Sequence, residues 1–279
     1  MLYLKEFKNH SGYTQEELNL VAPNVSYCDD ANDVHYKQKM PNNSVLFTCY
    51  NIQPNTTEEV KIQSSPGGGV DTISVDKNDK LYKFICTSGF HKIYSDKDII
   101  SSVTLNNISQ INNTGQSHWF SKGVKNVSIK DCTLQEVSQL TNMCNGCTGL
   151  VKFEATNFNT SKATSMESAF SGCYNLTSLD LSGFKITNIT NMQNLFSGCQ
   201  NLKEINMSGW NLAPYDQTNS DGMFGNVSDV NSLVGTNGIK FIMKNVGVYT
   251  KSTIETIISN FNRDLSTAGR PNITYSIEE

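Results

Sequence analysis

A segment that recurs every 26 residues constrains the fold of this chain more than any other feature. Its three clearest copies start at Leu150, Leu176 and Leu202 and read LVKFEATNF, LTSLDLSGF and LKEINMSGW. In each copy apolar residues follow three and five positions later, and an aromatic residue ends the copy. A fixed period of roughly 20 to 50 residues is typical of a solenoid, in which stacked repeats bury one continuous core.

Weaker copies extend the repeat in both directions. Toward the start of the chain they begin at Val124 and Ile100, and toward its end a two-residue insertion places the next copy at Val230 and Leu233. The total is about six repeats, more than the roughly three that a solenoid needs to bury its faces. We therefore predict a mainly β solenoid with a parallel sheet over residues 98–248.

Polar residues alternate with the apolar positions of each copy and are predicted to share one face of the sheet. Side chains of a strand point alternately to the two faces, and neighbouring strands lie about 4.8 Å apart. The resulting ladder has an acidic centre that could bind the hydroxyls of a glycan or a polar protein surface. Its residues could equally be those that solubility requires on an open sheet. The predicted face comprises a middle column of Thr104, Ser128, Glu154, Asp180 and Asn206, with Lys130, Thr156, Ser182 and Ser208 beside it.

The last part of the chain is predicted to close the solenoid. Residues 252–255 read Ser-Thr-Ile-Glu, the spacing of a capping box that starts a helix. Residues 272–277 resemble a final strand. Because a solenoid needs an atypical end unit to cover its last apolar face, we predict an α/β cap over residues 249–279. The apolar face of its helix would comprise Ile254, Ile257, Ile258 and Phe261.

Residues 42–97 lack the repeat and are predicted to form a separate small β-sandwich domain. Segments rich in β-branched and aromatic residues are separated there by Pro, Gly, Asn and Asp, as in short strands joined by turns. Several short strands at this spacing are typical of a sandwich. The predicted strands are residues 45–50, 59–62, 72–75 and 81–85, with a further one within residues 88–94.

Residues 1–41 are polar, and we predict either an arm that becomes ordered on a partner or a frayed terminus. Lys5, Glu6 and Lys8 stand where a signal peptide would have its apolar core. No apolar run approaches the roughly 20 residues that span a bilayer. We expect that the chain is not exported by the usual route, that a leader has been trimmed, or that the chain leaves the cell within a virus particle.

The overall charge argues against two classes of partner. The chain has 279 residues, a net charge of −4 and 17% charged residues, which suits a globular protein. This charge provides no electrostatic attraction to nucleic acid or to an anionic membrane. We therefore predict neither as a partner.

The cysteines are predicted to fill the core. Cys144 and Cys147 have the CxxC spacing that occurs in zinc and redox sites. Both nevertheless occupy repeat positions, and Cys173 and Cys199 continue the second column singly, without the second pair that a metal site would need. We interpret them as small buried thiols and predict no metal. A disulfide among Cys28, Cys49 and Cys86 remains an alternative, although their spacing does not favour it.

No arrangement of residues points to catalysis or to a cofactor. Residues 65–69 lack the GK[ST] ending of a phosphate loop, and residues 29–33 lack the Gly and the final Glu of a calcium loop. The four histidines have no acidic or nucleophilic neighbours in a recognisable arrangement. A solenoid of this size also rarely offers the cleft that perturbed acid–base groups need. We predict that the protein is not an enzyme and uses no cofactor.

One motif of the repeats carries a family resemblance. Residues 192–207 read M-x3-F-S-G-C-x2-L-x2-I-x-M, and one period earlier the same positions are Met, Phe, Cys, Leu, Leu and Leu. The motif resembles the BspA-like leucine-rich repeats of bacterial and mycoplasmal surface proteins, over residues 98–248. Leu140 and Cys144 replace the Met and Phe at one end, and the register is lost near Met223 at the other. The resemblance implies a right-handed leucine-rich-repeat solenoid with a surface-binding role.

A second resemblance lies near the start of the chain. APNVSY at residues 22–27 and DVHY at 33–36, with GFHKIY at 89–94, are similar to the opening of structural proteins of gut Bacteroidales and their crAss-like phages. This implies a fibre or appendage protein, bound to other virion proteins by its N-terminal arm, whose solenoid binds a host-surface glycan or protein. The alternative is a secreted or cell-surface adhesin of the BspA-like type. Fibres are commonly symmetric, so a homo-oligomer is plausible, although the sequence shows no coiled-coil heptads.

Overall fold

The computed structural model describes residues 42–65, 67–86, 89–112, 118–135, 139–211, 222–224, 238–246, 248–267 and 272–278. The predicted arm, residues 1–41, lies outside these ranges. The described part is mainly β, with three sheets and one helix. Its elements are β1 (Ser44–Cys49), β2 (Glu58–Gln63), β3 (Val70–Val75), β4 (Leu81–Ile85), β5 (Lys92–Tyr94), β6 (Ile100–Asn106), β7 (Asn126–Lys130), β8 (Lys152–Thr156), β9 (Ser178–Asp180), β10 (Glu204–Asn206), β11 (Ile239–Ile242), α1 (Val248–Thr267) and β12 (Tyr275–Glu278).

Strands β6, β7 and β8 lie parallel and side by side, one repeat apart. Val103 lies opposite Val127, and Val127 lies opposite Phe153, so equivalent positions of successive repeats stack directly. All three side chains are almost completely buried, as the apolar alternation predicts. The strand register predicted for these repeats is confirmed.

A second sheet, in the order β12-β11-β10-β9, continues the parallel stack. Ile205 in β10 lies opposite Phe241 in β11, which follows it by 36 residues rather than by 28. The prediction that the next repeat lies at Val230 and Leu233 is therefore wrong. The additional chain precedes β11, and residues 225–237 lie outside the described ranges.

Backbone hydrogen bonds also join the turns of successive repeats, and they continue across the longer repeat that follows β10. The N–H of Phe170 donates to the carbonyl of Leu195 at 3.0 Å, and the N–H of Phe196 donates to the carbonyl of Met223 at 2.9 Å. Phe224 follows Phe196 by 28 residues, and their ring centroids are 6.2 Å apart. Phe224 thus keeps the position of the repeat's Phe, whereas the Met of the Met-x3-Phe spacing is lost, as predicted, because Ser220 stands at that position.

The five strands predicted within residues 42–97 are present with small shifts of their ends. β1 pairs antiparallel with β4 on one side and with β6 on the other, so both β1 and β4 join the sheet of the first repeats. β2 pairs antiparallel with β3 and β5 in a sheet of their own. The segment thus contributes to two sheets, one of which it shares with the repeats.

Hydrogen bonds cross the predicted domain boundary at residue 97. Ile93 N donates to the Trp119 carbonyl at 2.9 Å, and Ser95 N donates to Ser121 Oγ at 3.1 Å. Each pair is 26 residues apart, so the expectation that residues 42–97 lack this period is wrong for the segment around β5. Buried apolar residues on both sides of the boundary belong to one contiguous core. The division into domains itself stays a prediction.

The aromatic residues that end the repeats fill this core. Phe158, Phe184 and Trp210 are each at most 3% exposed. Phe184 lies edge-on to Phe158 at 5.4 Å between ring centroids, a geometry that adds roughly 0.5–1.5 kcal/mol beyond burial. The indole Nε1 of Trp210 donates to the carbonyl of Leu181 at 2.9 Å, which satisfies the one polar atom of that side chain.

Helix α1 begins at Val248, four residues before the predicted start. The capping-box prediction is wrong, because Ser252 lies inside the helix. Thr250 Oγ1 donates to the carbonyl of Trp210 at 3.1 Å and so joins α1 to the repeats. Among the described residues, no helix is both long and apolar enough to span a bilayer. The predicted apolar face of the helix is buried, at Ile254, Ile257, Ile258 and Phe261.

Candidate binding face

The structure places the predicted middle column along the parallel strands β6 to β10, which belong to two sheets. Thr104 lies opposite Ser128, and Ser128 lies opposite Glu154. Asp180 and Asn206 form the next pair in the second sheet. The backbone ladder ends at β8 and resumes at β9, so the column crosses from one sheet to the next between Glu154 and Asp180.

The flanking column is in register only within the first sheet. Lys130 lies opposite Thr156, as predicted. Ser182 and Ser208 come after the ends of β9 and β10 and lie in turns. They extend the candidate face beyond the strands, where turn geometry determines their positions.

Within these turns, two of the candidate ligand-binding side chains accept hydrogen bonds from the serines that follow them. Asp180 Oδ1 accepts hydrogen bonds from Ser182 N at 2.9 Å and from Ser182 Oγ at 2.6 Å. Asn206 Oδ1 accepts from Ser208 N at 3.0 Å and from Ser208 Oγ at 2.7 Å. Short polar side chains commonly bond the backbone two residues on in this way and fix a turn. Asp180 and Asn206 therefore stabilise the turns after β9 and β10, whether or not a ligand is bound.

Glu154, one of the two acids at the centre of the face, is paired with a neighbouring lysine. Lys152 Nζ lies 2.7 Å from Glu154 Oε1, and both side chains are largely exposed. An exposed pair of this kind contributes little stability, typically about 0–1 kcal/mol. It offsets the charge of Glu154, whereas the Asp180 carboxylate is hydrogen-bonded by Ser182, so the face presents hydroxyl, amide and ionic groups.

Sequence reasoning missed a charged cluster at the end of the second sheet. Lys240 in β11 lies opposite Glu204 in β10, and its Nζ is 3.4 Å from Glu204 Oε2 and 2.5 Å from Glu278 Oε2. The hydrogen bond from Lys240 lowers the pKa of Glu278, and Lys244 adds to this effect. The prediction placed the next strand near Val230 instead of at β11, so it did not bring Lys240 next to Glu204. The alternation Ile239-Lys-Phe-Ile242 was the signal that could have revealed it.

The thiols of the turns lie in the core, as predicted. Cys173 Sγ is 3.2 Å from the carbonyl of Cys144, and Cys199 Sγ is 3.1 Å from that of Phe170. Burial raises the pKa of Cys144 and of Cys173 well above the usual range. Cys49 and Cys86 are free thiols, and Cys28 lies outside the described ranges. No group of three or more His, Cys, Asp or Glu in the described chain could hold a metal ion.

Comparison with known proteins finds one family model that is similar to part of the repeat region. Residues 106–237 match a family described as "Mycoplasma protein of unknown function, DUF285". The matched range includes β7 to β10 and agrees with the resemblance of these repeats to mycoplasmal surface proteins. No curated protein and no solved structure matches the chain. The motifs at residues 22–36 lie outside both the matched range and the described residues, and no comparison supports their predicted likeness to phage proteins.

Proposed function

We propose that residues 98–248 form a leucine-rich-repeat solenoid and that the protein is a non-enzymatic binding protein. The parallel strands β6 to β8 and β9 to β11 support this architecture, because equivalent positions of successive repeats lie opposite each other. Parallel strands joined by turns that also stack are the arrangement expected of such repeats.

The single observation that carries the binding role is the regular polar face. Its strands hold hydroxyl, amide and carboxylate groups at a spacing of about 4.8 Å across the sheet. Several of its charges are paired, as in Lys152 with Glu154 and Lys240 with Glu204 and Glu278, and the Asp180 carboxylate accepts hydrogen bonds from Ser182. A partner rich in hydroxyl or amide groups suits this face better than one of strong net charge, which supports a host-surface glycan or a polar protein surface.

We propose a virion fibre or appendage as the first setting. In it, the N-terminal region would bind other virion proteins while the solenoid is displayed outward, and several copies would assemble. The support is the resemblance of residues 22–36 and 89–94 to phage structural proteins. The second setting is a bacterial cell surface, where the protein would be an adhesin. The match of residues 106–237 to a Mycoplasma family favours this second setting.

Detection of the protein separates the two settings. Peptides of this chain in purified virions, with capsid and tail genes beside its gene, would establish the first. Their absence from virions, together with labelling of intact cells by an antibody against the solenoid, would establish the second.

The binding role is tested on the face itself. The double variant Ser128→Arg with Glu154→Arg places two long side chains on the middle column, and we expect at least tenfold weaker binding of the full chain to host cells. Tyr174→Ser is the matched control, because Tyr174 is an exposed residue of a turn outside the face. Equal binding by the double variant and by the wild type would contradict the proposal.

A further inference from the structure

A groove of about 600 Å³ lies beside the ends of β8, β9 and β10. Its walls are three successive turns, at residues 157–161, 182–187 and 209–211. The volume falls within the range of about 300–1,000 Å³ that small-molecule sites occupy. The groove adjoins the candidate binding face through Ser182, which belongs to both.

Two of the turns that line the groove have glycine at a repeat position where earlier repeats have Asn or Asp. The residue that follows the strand is Asn107, Asp131 and Asn157 in three successive repeats, each with a positive φ of 47°, 52° and 51°. Asn157 Nδ2 donates to Asp131 Oδ1 at 2.8 Å, so these side chains cover the turns. The next two repeats have Gly183 and Gly209 at this position. A Cβ on Gly209 would meet no atom within 4 Å, so the glycine leaves that space open.

Gly183 has a different reason to be a glycine. A Cβ there would lie 2.4 Å from the carbonyl oxygen of Ala155, which is backbone and cannot turn aside. The close approach of the two turns therefore requires a glycine at Gly183, whereas packing does not require one at Gly209.

The groove has a polar rim above a buried apolar layer. Phe158, Phe184 and Ile186 form that layer and are at most 3% exposed, so they shape the groove rather than offer it a broad apolar surface. Ser182 Oγ donates to Asp180 and Ser161 Oγ donates to Asn159, so both hydroxyl oxygens retain lone pairs that can accept hydrogen bonds. The amides of Asn157 and Asn211 also line the groove. Among the described lining residues, Lys185 alone has a formal charge.

We propose that this groove binds a carbohydrate segment; the inference rests on the proposed binding function and names its ligand class and subsite. A pyranose ring has an edge of hydroxyls, which matches the amide and hydroxyl groups of the rim. Lys185 lies where it can bind the carboxylate of an acidic sugar.

The decisive variant is Gly209→Asn. Gly209 has a φ of 76°, and Asn tolerates this left-handed region, as Asn107 and Asn157 show at the same repeat position. The variant should therefore fold normally while its side chain fills the groove. Tyr174→Ser is the matched control, and thermal unfolding of both variants establishes that the fold is retained.

The measurement is binding of the full chain to an array of neutral and uronic-acid-containing oligosaccharides, followed by calorimetric titration with the strongest one. We expect binding by the wild type and by Tyr174→Ser, and at least tenfold weaker binding by Gly209→Asn. Lys185→Gln should weaken binding only of uronic-acid oligosaccharides and leave neutral ones unchanged. This comparison distinguishes the two kinds of sugar.

Two results would overturn the inference: no oligosaccharide bound above background by the wild type, or equal affinities of the wild type and Gly209→Asn. The face variant Ser128→Arg with Glu154→Arg separates this failure from a failure of the proposed function. If it abolishes binding to cells while Gly209→Asn does not, the face binds and the groove does not. If neither variant affects binding to cells, both proposals fail.

Discussion

Asp180 and Ser182 are bound to each other through two hydrogen bonds that end strand β9. The carboxylate Oδ1 accepts from both the backbone N and the hydroxyl of Ser182, at 2.9 and 2.6 Å. The same relationship joins Asn206 and Ser208 one repeat later. Residues that look like ligands on an open face thus also hold the turns beside it.

The first prediction concerns the side chain of Asp180. Asp180→Ala removes both hydrogen bonds and should lower the free energy of unfolding by about 1 kcal/mol, since the site is exposed and water can replace part of the loss. Asp180→Asn, which copies the residue at Asn206, should be close to the wild type. Urea unfolding of the three proteins measures this. Identical midpoints for Ala and wild type would show that the turn does not need the carboxylate.

The second prediction tests the strand register. Leu179 is 2% exposed and faces the core, so Leu179→Asp buries an unpaired carboxylate, which costs several kcal/mol, on the order of 5 or more. We expect loss of the cooperative unfolding transition, monitored by circular dichroism. Asp180→Asn, one residue further along, is the control. If the two variants were equally stable, the assigned faces of β9 would be reversed.

The third prediction concerns the thiols. Burial raises the pKa of Cys49 and of Cys132 to about 12, so these thiols stay protonated and shielded at pH 8.5. In a Cys28→Ser background, the native protein should take up no iodoacetamide, and protein in concentrated urea should take up one per remaining cysteine. Intact-mass spectrometry reads out both states. Rapid native labelling of Cys144 or Cys147 would contradict the buried placement of the CxxC pair.

The fourth prediction concerns pH. His91 is buried, with its Nδ1 2.5 Å from the Asn112 carbonyl, and burial lowers its pKa, with a smaller effect from Lys92. Between this lowered pKa and the unfolded value of about 6.5, the unfolded state binds more protons. The free energy of unfolding should therefore fall as the pH falls below about 6.5.

His91→Gln checks the origin of that pH dependence. Urea unfolding at pH 7.5 and pH 5.5 should show a smaller loss of stability in this variant than in the wild type. His118, whose pKa is also lowered by burial, has the same sign, and His118→Gln measures its share. An unchanged loss in His91→Gln would assign the pH dependence to other groups.

The 26-residue period was enough to predict the strands β6 to β10 and the face of each residue, because every repeat has the same apolar alternation. Prediction failed where the period was interrupted. The chain between Phe224 and Phe241 is longer than a repeat allows, and no periodic residue marks the insertion. Extrapolation from Leu202 therefore placed the next strand too early and hid the cluster around Lys240.

Other failures arose because local signals competed with packing. Residues 252–255 have the spacing of a capping box. The helix nevertheless begins earlier, at Val248, and its first turn contacts the repeats through the hydrogen bond from Thr250 to Trp210. Similarly, β-formers predicted the strands of residues 42–97 but not their partners, since pairing of β1 with β6 depends on tertiary contacts that no local pattern encodes. The groove beside Gly209 was also missed, because three turns line it and no local pattern encodes how they pack.

The backbone ladder is interrupted between β8 and β9, and the turns on both sides of the strands join these two repeats instead. Before the strands, Cys144 N donates to the carbonyl of Ala169 and Gly146 N donates to that of Ser171, both at 2.7 Å. Beyond the strands, Thr160 Oγ1 donates to the carbonyl of Lys185 at 2.9 Å and accepts from Lys185 N at 2.7 Å. A single threonine hydroxyl thus carries the register across the junction beside the groove, where the strands themselves do not.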